Sequence, residues 1–200
     1  MSIAVRWGNR SGMVKFARLV DAIGNGQLVH ASNRAVNWTG DRTRTRVRRA
    51  LTKQTGLKAG TIRKAIKTRR SSWGTLTYTM SSFGGDISLK YFGARETRKG
   101  VSAAPFGKRQ IFPGTFIKGG RFPKRVALNK GSHVFKRVGS GRLPIEKQLS
   151  GVIIPREMVR DQSADAFDKS AVQLEARFAH EIGAIASGAA PRGRKLLRFR

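Results

Sequence analysis

Two hundred residues carry 41 Lys and Arg against 11 Asp and Glu, a net charge of +30, so self-repulsion opposes compaction and a polyanion is the natural partner. Cysteine is absent, which excludes disulfides, thiolate metal sites and a cysteine nucleophile together. With 39% apolar residues the chain can bury a core, and because no strongly apolar stretch accompanies the charge, nucleic acid is favoured over anionic lipid.

Met13, Phe16, Ala17, Leu19, Val20 and Ile23 predict a short amphipathic helix over 13–23. Gly24-Asn25-Gly26 interrupts it, since two glycines in three residues weaken a helix and permit a turn. Helical spacing resumes from about Leu28 to Thr55, with Ala31, Ala35, Trp38, Val47, Ala50 and Leu51 mostly on one side and Gly56 as the stop. A second short helix is expected from Lys58 to Lys67. Beyond Arg70 the texture turns to strands. Trp73 to Met80 and Ile87 to Tyr91 alternate by two, with Gly84-Gly85-Asp86 as a hairpin turn between them. Residues 93–110 show no period and predict a loop. Ile111 to Lys118 and His133 to Val138 predict two further strands, joined by a basic, glycine-rich linker, and Pro144 and Pro155 bracket a short extended stretch. From Arg156 to Ser187 the apolar residues Ala164, Phe167, Ala171, Leu174, Phe178, Ile182 and Ile185 predict one long helix. It holds six of the 11 acidic residues, so charge is segregated along the chain. The organisation expected is an N-terminal helix or arm over 1–26, one α+β domain over 27–187 and a basic arm over 188–200.

Arg42, Arg44, Arg46, Arg48, Arg49 and Lys53 form the densest basic cluster. Alternate residues of a helix point to more than one side, so the cluster reads as a basic cylinder able to meet phosphates, or as a solvated charged face. The terminal Arg192, Arg194, Lys195, Arg198 and Arg200 read as a nucleic-acid arm, a partner-binding peptide or a simple chain end. Around Gly56, Leu51, Leu57, Ile62 and Ala65 roughly fit a helix-turn-helix over 49–67, although Thr52 stands where a smaller residue is usual. Phe112, Phe116, Phe122 and Phe135 lie among Lys118, Arg121, Lys136 and Arg137, a pattern for base stacking or for a sheet with aromatic inner and cationic outer sides. Catalysis has little support. His30, His133 and His180 are scattered, no nucleophile elbow or Walker loop is present, and Gly24 and Gly26 lack the third glycine of a dinucleotide fingerprint. Asp161, Asp165 and Asp168 share one helical face, which fits a solvated or salt-bridging face better than a metal site. No enzyme activity, cofactor, metal or membrane partner is expected, and the segment Met1 to Arg10 has no apolar run of a secretory signal.

Several motifs occur in order: Ala50-Leu51-x-x-Gln54-Thr55-Gly56-Leu57, Ile62-Arg63-Lys64-Ala65-Ile66, Phe112-Pro113-Gly114-Thr115-Phe116, Val134-Phe135-Lys136-Arg137, Arg142-Leu143-Pro144-Ile145 and Leu149-Ser150-Gly151 with Ile154-Pro155. Together, over residues 28–186, they resemble the minor tail protein Z family of tailed bacteriophages and prophages. The resemblance implies a tail-completion protein of the virion at the head-proximal end of a long tail, made in the host cytoplasm before assembly. It implies helices packed on a small antiparallel sheet, a ring of six copies of the chain, contacts with the tail tube or terminator, the head connector and packaged double-stranded DNA, and no catalytic residues. Asp161, Asp165, Asp168, Phe112, Phe116 and Phe135 are the subunit-interface candidates that follow. Two other readings fit the charge: a small DNA-binding regulator using the 49–67 unit, and an RNA-binding protein.

Overall fold

The computed structural model describes residues 3–5, 25–121 and 123–186. The helix expected over 13–23, Phe122 and the arm from Pro191 to Arg200 lie outside the described residues. The fold is α+β, with helices and several small sheets. Within the expected 27–187 domain, packing forms two units. One gathers residues 45–67 and 81–166, the other 25–44, 68–80 and 167–186.

Helix α1 (Asn25–Thr55) is 31 residues long and runs through both units. Its inner line steps by three and four through Leu28, Ala31, Ala35, Thr39, Thr43, Val47, Leu51 and Thr55, all buried. Three of these are threonines, which the apolar count passes over. The Thr43 hydroxyl donates to Thr39 O at 2.8 Å and the Thr55 hydroxyl to Leu51 O at 2.6 Å, while Thr39 Oγ1 is buried with no hydrogen-bond partner among the described residues. Gly56 ends α1 with φ +75°, and its amide donates to Thr52 O at 3.1 Å. A Cβ there would meet Gly107 N at 2.6 Å, so both conformation and space demand glycine.

Helix α2 (Ala59–Ala65) follows and runs directly into β2 (Ile66–Arg69). The expected second helix is thus two turns long, with Ile62 in the core. In the first unit Val47, Leu51, Leu57, Ile62, Leu89, Val101, Val134 and Val152 are all buried. In the second, Leu28, Ala31, Ala35, Tyr78 and Met80 are buried. Strand β1 (Ile3–Val5), β3 (Thr79–Ser82) and β2 make a sheet in the order β1-β3-β2.

Several expected strands are not strands. Over Trp73 to Met80 only the last two residues enter β3, because Ser72 N–H and the Thr75 hydroxyl (3.3 Å) close a turn instead. Residues Leu89–Phe92 form a 3-10 turn, and only Ser88 bridges Leu149. Leu89 and Phe92 are both buried, which three-residue spacing permits in a helical turn and forbids in a strand. Gly84-Gly85-Asp86 is no hairpin. Asp86 Oδ1 accepts from Ser150 N (3.2 Å) and Gly151 N (2.8 Å), tying down the Leu149-Ser150-Gly151 motif.

The expected loop at 93–110 holds β4 (Arg95–Thr97) and the antiparallel β5 (Gly100–Ala103), which also pairs with β6 (Gln110–Pro113). Small buried residues in β5, Gly100 and Ala103 among them, hid its alternation. The strand expected from Ile111 to Lys118 breaks at Gly114 into β6, β7 (Thr115–Phe116) and β8 (Lys118–Gly119). The glycine-rich linker contains β9 (Val126–Ala127), antiparallel to β8. Strand β10 (Phe135–Arg137) pairs with β7 and with β11 (Ile145–Lys147), both antiparallel.

The expected long C-terminal helix runs from Asp161 to Ala186, interrupted at Val172 into α4 (Asp161–Ala171) and α5 (Gln173–Ala186), and a separate short helix, α3 (Ile154–Met158), precedes it. At the break before α4 Asp161 takes φ +48°. Gln54 Nε2 donates to Glu157 O at 3.1 Å and its Oε1 accepts from Ser163 N at 3.3 Å, so a side chain from α1 takes up backbone groups that a continuous helix would pair internally. The predicted apolar stripe from Ala164 to Ile185 is half-buried throughout.

Candidate nucleic-acid interface

The cluster on α1 is not a uniform basic cylinder. Arg42, Arg46, Arg49 and Lys53 recur at four, three and four residues, one face of a helix about 16 Å long by its rise per residue. Arg42, Arg49 and Lys53 are exposed and Arg46 is half-buried. Arg44 and Arg48, four apart, point elsewhere. Arg44 Nη2 lies 3.4 Å from Asp41 Oδ1, and Arg48 Nη2 donates to Ile66 O at 3.4 Å.

Asp41, the sole acidic residue of α1, gathers partners. Arg70 Nη2 sits 3.0 Å from Oδ2, and the buried Tyr78 hydroxyl donates to Oδ1 at 3.0 Å. Burial, then the Asp41 hydrogen bond and charge, push the Tyr78 hydroxyl above its ordinary value of 10.0. Trp38 lies under two guanidinium groups, Arg42 at 4.2 Å and Arg177 at 4.8 Å from its ring centroid. Arg177 and Arg34 also clamp the buried Glu181, with Arg34 Nε 2.7 Å from Oε2. Burial alone would raise the Glu181 carboxyl. The Arg34 hydrogen bond and the Arg177 and Arg34 charges outweigh it and hold the group below its ordinary value of 4.5. Sequence reasoning missed this clamp, although Trp38 four residues before Arg42 is a legible cation–π spacing.

A second basic region follows β7. Lys118, Arg121, Lys124, Lys130, Lys136 and Arg142 are all exposed. Its backbone is tied at Glu96, which accepts from Ile117 N (3.2 Å) and Lys118 N (3.4 Å) and pairs with Arg125. Arg137 Nη1 donates to Arg142 O at 2.6 Å, which fastens the Arg142-Leu143-Pro144-Ile145 motif to β10.

The aromatic residues here pack inward rather than offering a stacking platform. Phe135 is buried opposite the half-buried Phe116 across β10 and β7, with ring centroids 6.4 Å apart, and Arg137 covers the Phe116 ring at 5.4 Å. Phe135 is therefore spent in its own core and is withdrawn as an interface residue. Phe112 is half-buried opposite Val101. Thr115 does the work of the Phe-Pro-Gly-Thr-Phe motif. Its hydroxyl donates to Phe112 O at 2.6 Å and accepts from Val101 N at 3.1 Å, stapling the turn at Gly114 to β5.

Asp161, Asp165 and Asp168 are exposed on α4 and make no ion pair among the described residues. Among the described residues no three His, Cys, Asp or Glu side chains group to hold a metal ion, and no helix is long and apolar enough to cross a membrane. His30 meets the Trp73 ring edge-on at 4.6 Å, and His133 Nδ1 lies 3.1 Å from Ser88 Oγ. His180 is exposed. His30 and His133 thus have separate partners. The terminal cations Arg192, Arg194, Lys195, Arg198 and Arg200 lie outside the described residues. Compared with known protein families, curated proteins and solved structures, the chain matches none.

Proposed function

We propose that this chain is a structural virion component, a tail-completion protein that forms a ring at the head-proximal end of a phage tail and holds duplex DNA without reading its sequence. The observation that carries the DNA contact is the division of cations on α1. Arg44 is committed to Asp41 and Arg34 to Glu181, while Arg42, Arg49 and Lys53 are exposed along one face. A stripe of this kind meets phosphates and carries no base-reading chemistry of its own. Six copies at +30 each would bring roughly +180 to a ring, which favours a site already filled with DNA. The place in the virion rests on the motif resemblance alone.

The regulator reading fares worse. A recognition helix must enter the major groove, and α2 offers seven residues before the chain becomes strand β2, with Ile62 buried. Antibody-gold labelling of purified particles from the phage or prophage that encodes the chain tests the proposal. Label at the head–tail junction supports it. Intact particles without label, with the protein found only in lysate, overturn it.

A further inference from the structure

A groove of about 720 Å³ opens beside α2 in the first unit. Lys58 and Lys64 stand at its edge, Phe83 and Tyr91 are exposed at 54% and 45%, and Ile154 and Pro155 belong to its wall. Exposed aromatic rings of this size in a mostly apolar hollow mark a binding surface. Its one carboxylate, Asp86, already accepts from the backbone of Ser150 and Gly151. The groove therefore offers apolar surface and positive charge, and its occupant must offer apolar surface and negative charge.

The chain carries such a surface itself. Asp161, Asp165 and Asp168 lie at four and three residues on α4, and Val172, four further on, is 75% exposed. These exposed carboxylates make no ion pair among the described residues, which leaves them open to a partner. Lys58 and Lys64 bring two positive charges to the groove, and Asp161, Asp165 and Asp168 bring three negative charges to α4, so the two surfaces are complementary in sign. DNA offers no such fit, because its phosphates would leave the exposed rings of Phe83 and Tyr91 without an apolar partner.

We infer that the groove beside α2 receives the acidic face of α4 from a second copy of this chain. Donor and acceptor patches differ, so the contact is head-to-tail and propagates to a closed ring or an open filament. This inference rests on the ring-forming part of the proposed function and names its contact surface.

Sedimentation velocity of the full chain tests it, with two charge-reversed variants, Lys58→Glu with Lys64→Glu, and Asp165→Lys with Asp168→Lys. The wild type is expected to self-associate with concentration and to dissociate as ionic strength rises from about 0.05 to about 0.5 M. Each variant alone is expected to associate at least roughly tenfold more weakly, while an equimolar mixture recovers assembly, because each supplies the charge the other needs. A wild type that stays monomeric, association indifferent to both reversals, or a folded mixture that does not recover overturns the inference. If the variants fail to fold by circular dichroism, the wild-type salt response decides, and salt-independent association overturns it. Loss of oligonucleotide binding in the lysine variant with self-association intact assigns the groove to nucleic acid and overturns it too. Gold-labelled particles with assembly unaffected by the reversals would remove this contact and leave the virion reading standing. Assembly through the groove with no label on particles would do the reverse.

Discussion

Two basic stretches, α1 and the segment from Lys118 to Arg142, use similar charge in different ways. On α1 a buried line from Leu28 to Thr55 fixes the rotation of the helix, so each cation's direction is set by its number. Arg44 and Arg34 are drawn to carboxylates and Arg42 lies over Trp38, while Arg42, Arg49 and Lys53 are exposed along one face. Between Lys118 and Arg142 the backbone is held by short pairings, β8 with β9 and β10 with its neighbours, and by the Glu96 and Arg137 ties. The cations there are exposed on short strands and turns rather than along one helix. The difference teaches that a count of cations does not make a binding surface. A rigid scaffold that spends some of them and aligns the rest does, because less side-chain and backbone freedom is lost on contact.

The sharpest way to break the comparison is at the end of α1. Gly56→Ala places a Cβ 2.6 Å from Gly107 N at φ +75°, and a loss of about 3 kcal/mol in urea unfolding is expected. A loss below about 1 kcal/mol would show that the helix end tolerates adjustment. Next comes the stripe itself. Replacing Arg42, Arg49 and Lys53 with Gln should lower duplex DNA affinity roughly 10- to 100-fold at low salt and reduce the salt slope by about 2.7, whereas Lys118, Arg121 and Lys124 to Gln should do less. Equal effects of the two triple variants would erase the distinction between the regions.

Thr115→Val removes both hydrogen bonds of the staple between β7 and β5, and a cost of about 2 kcal/mol is expected from thermal or chemical melts. An unchanged midpoint would mean that the turn at Gly114 holds without it. The smallest effect concerns pH. The folded Glu181 carboxyl titrates below its ordinary 4.5, so its stabilising contribution is complete above that value and fades as pH falls through the lowered folded value. The wild-type midpoint should therefore drop in acid below about pH 4.5, and Glu181→Gln should flatten that drop. Parallel acid profiles for the two proteins would remove Glu181 from the pH response.

Legibility followed the range of the interactions involved. The stop at Gly56, the span of α1 and the inward Phe135 with outward Lys136 and Arg137 were readable, because each depends on neighbours within a turn or a strand. Strand β5 was not, since its small buried residues show no alternation until β4 and β6 lie on either side. The break before α4 was hidden as well, because Gln54 reaches it from 109 residues away at Ser163. In the candidate interface the basic residue types were evident, while the separation of Arg44 and Arg48 from the stripe needed Asp41 and Ile66 in place.

By itself the sequence determined a strongly basic chain without cysteine, a long amphipathic helix closed by glycine, and an acidic C-terminal helical region. These follow from composition and from periodicities of a few residues. Only the tertiary structure decided which cations are committed, which aromatic residues are buried and where an apolar groove opens beside α2. The physical reason is that burial and ion pairing join residues far apart in the chain, so a side chain's availability is a property of what packs against it.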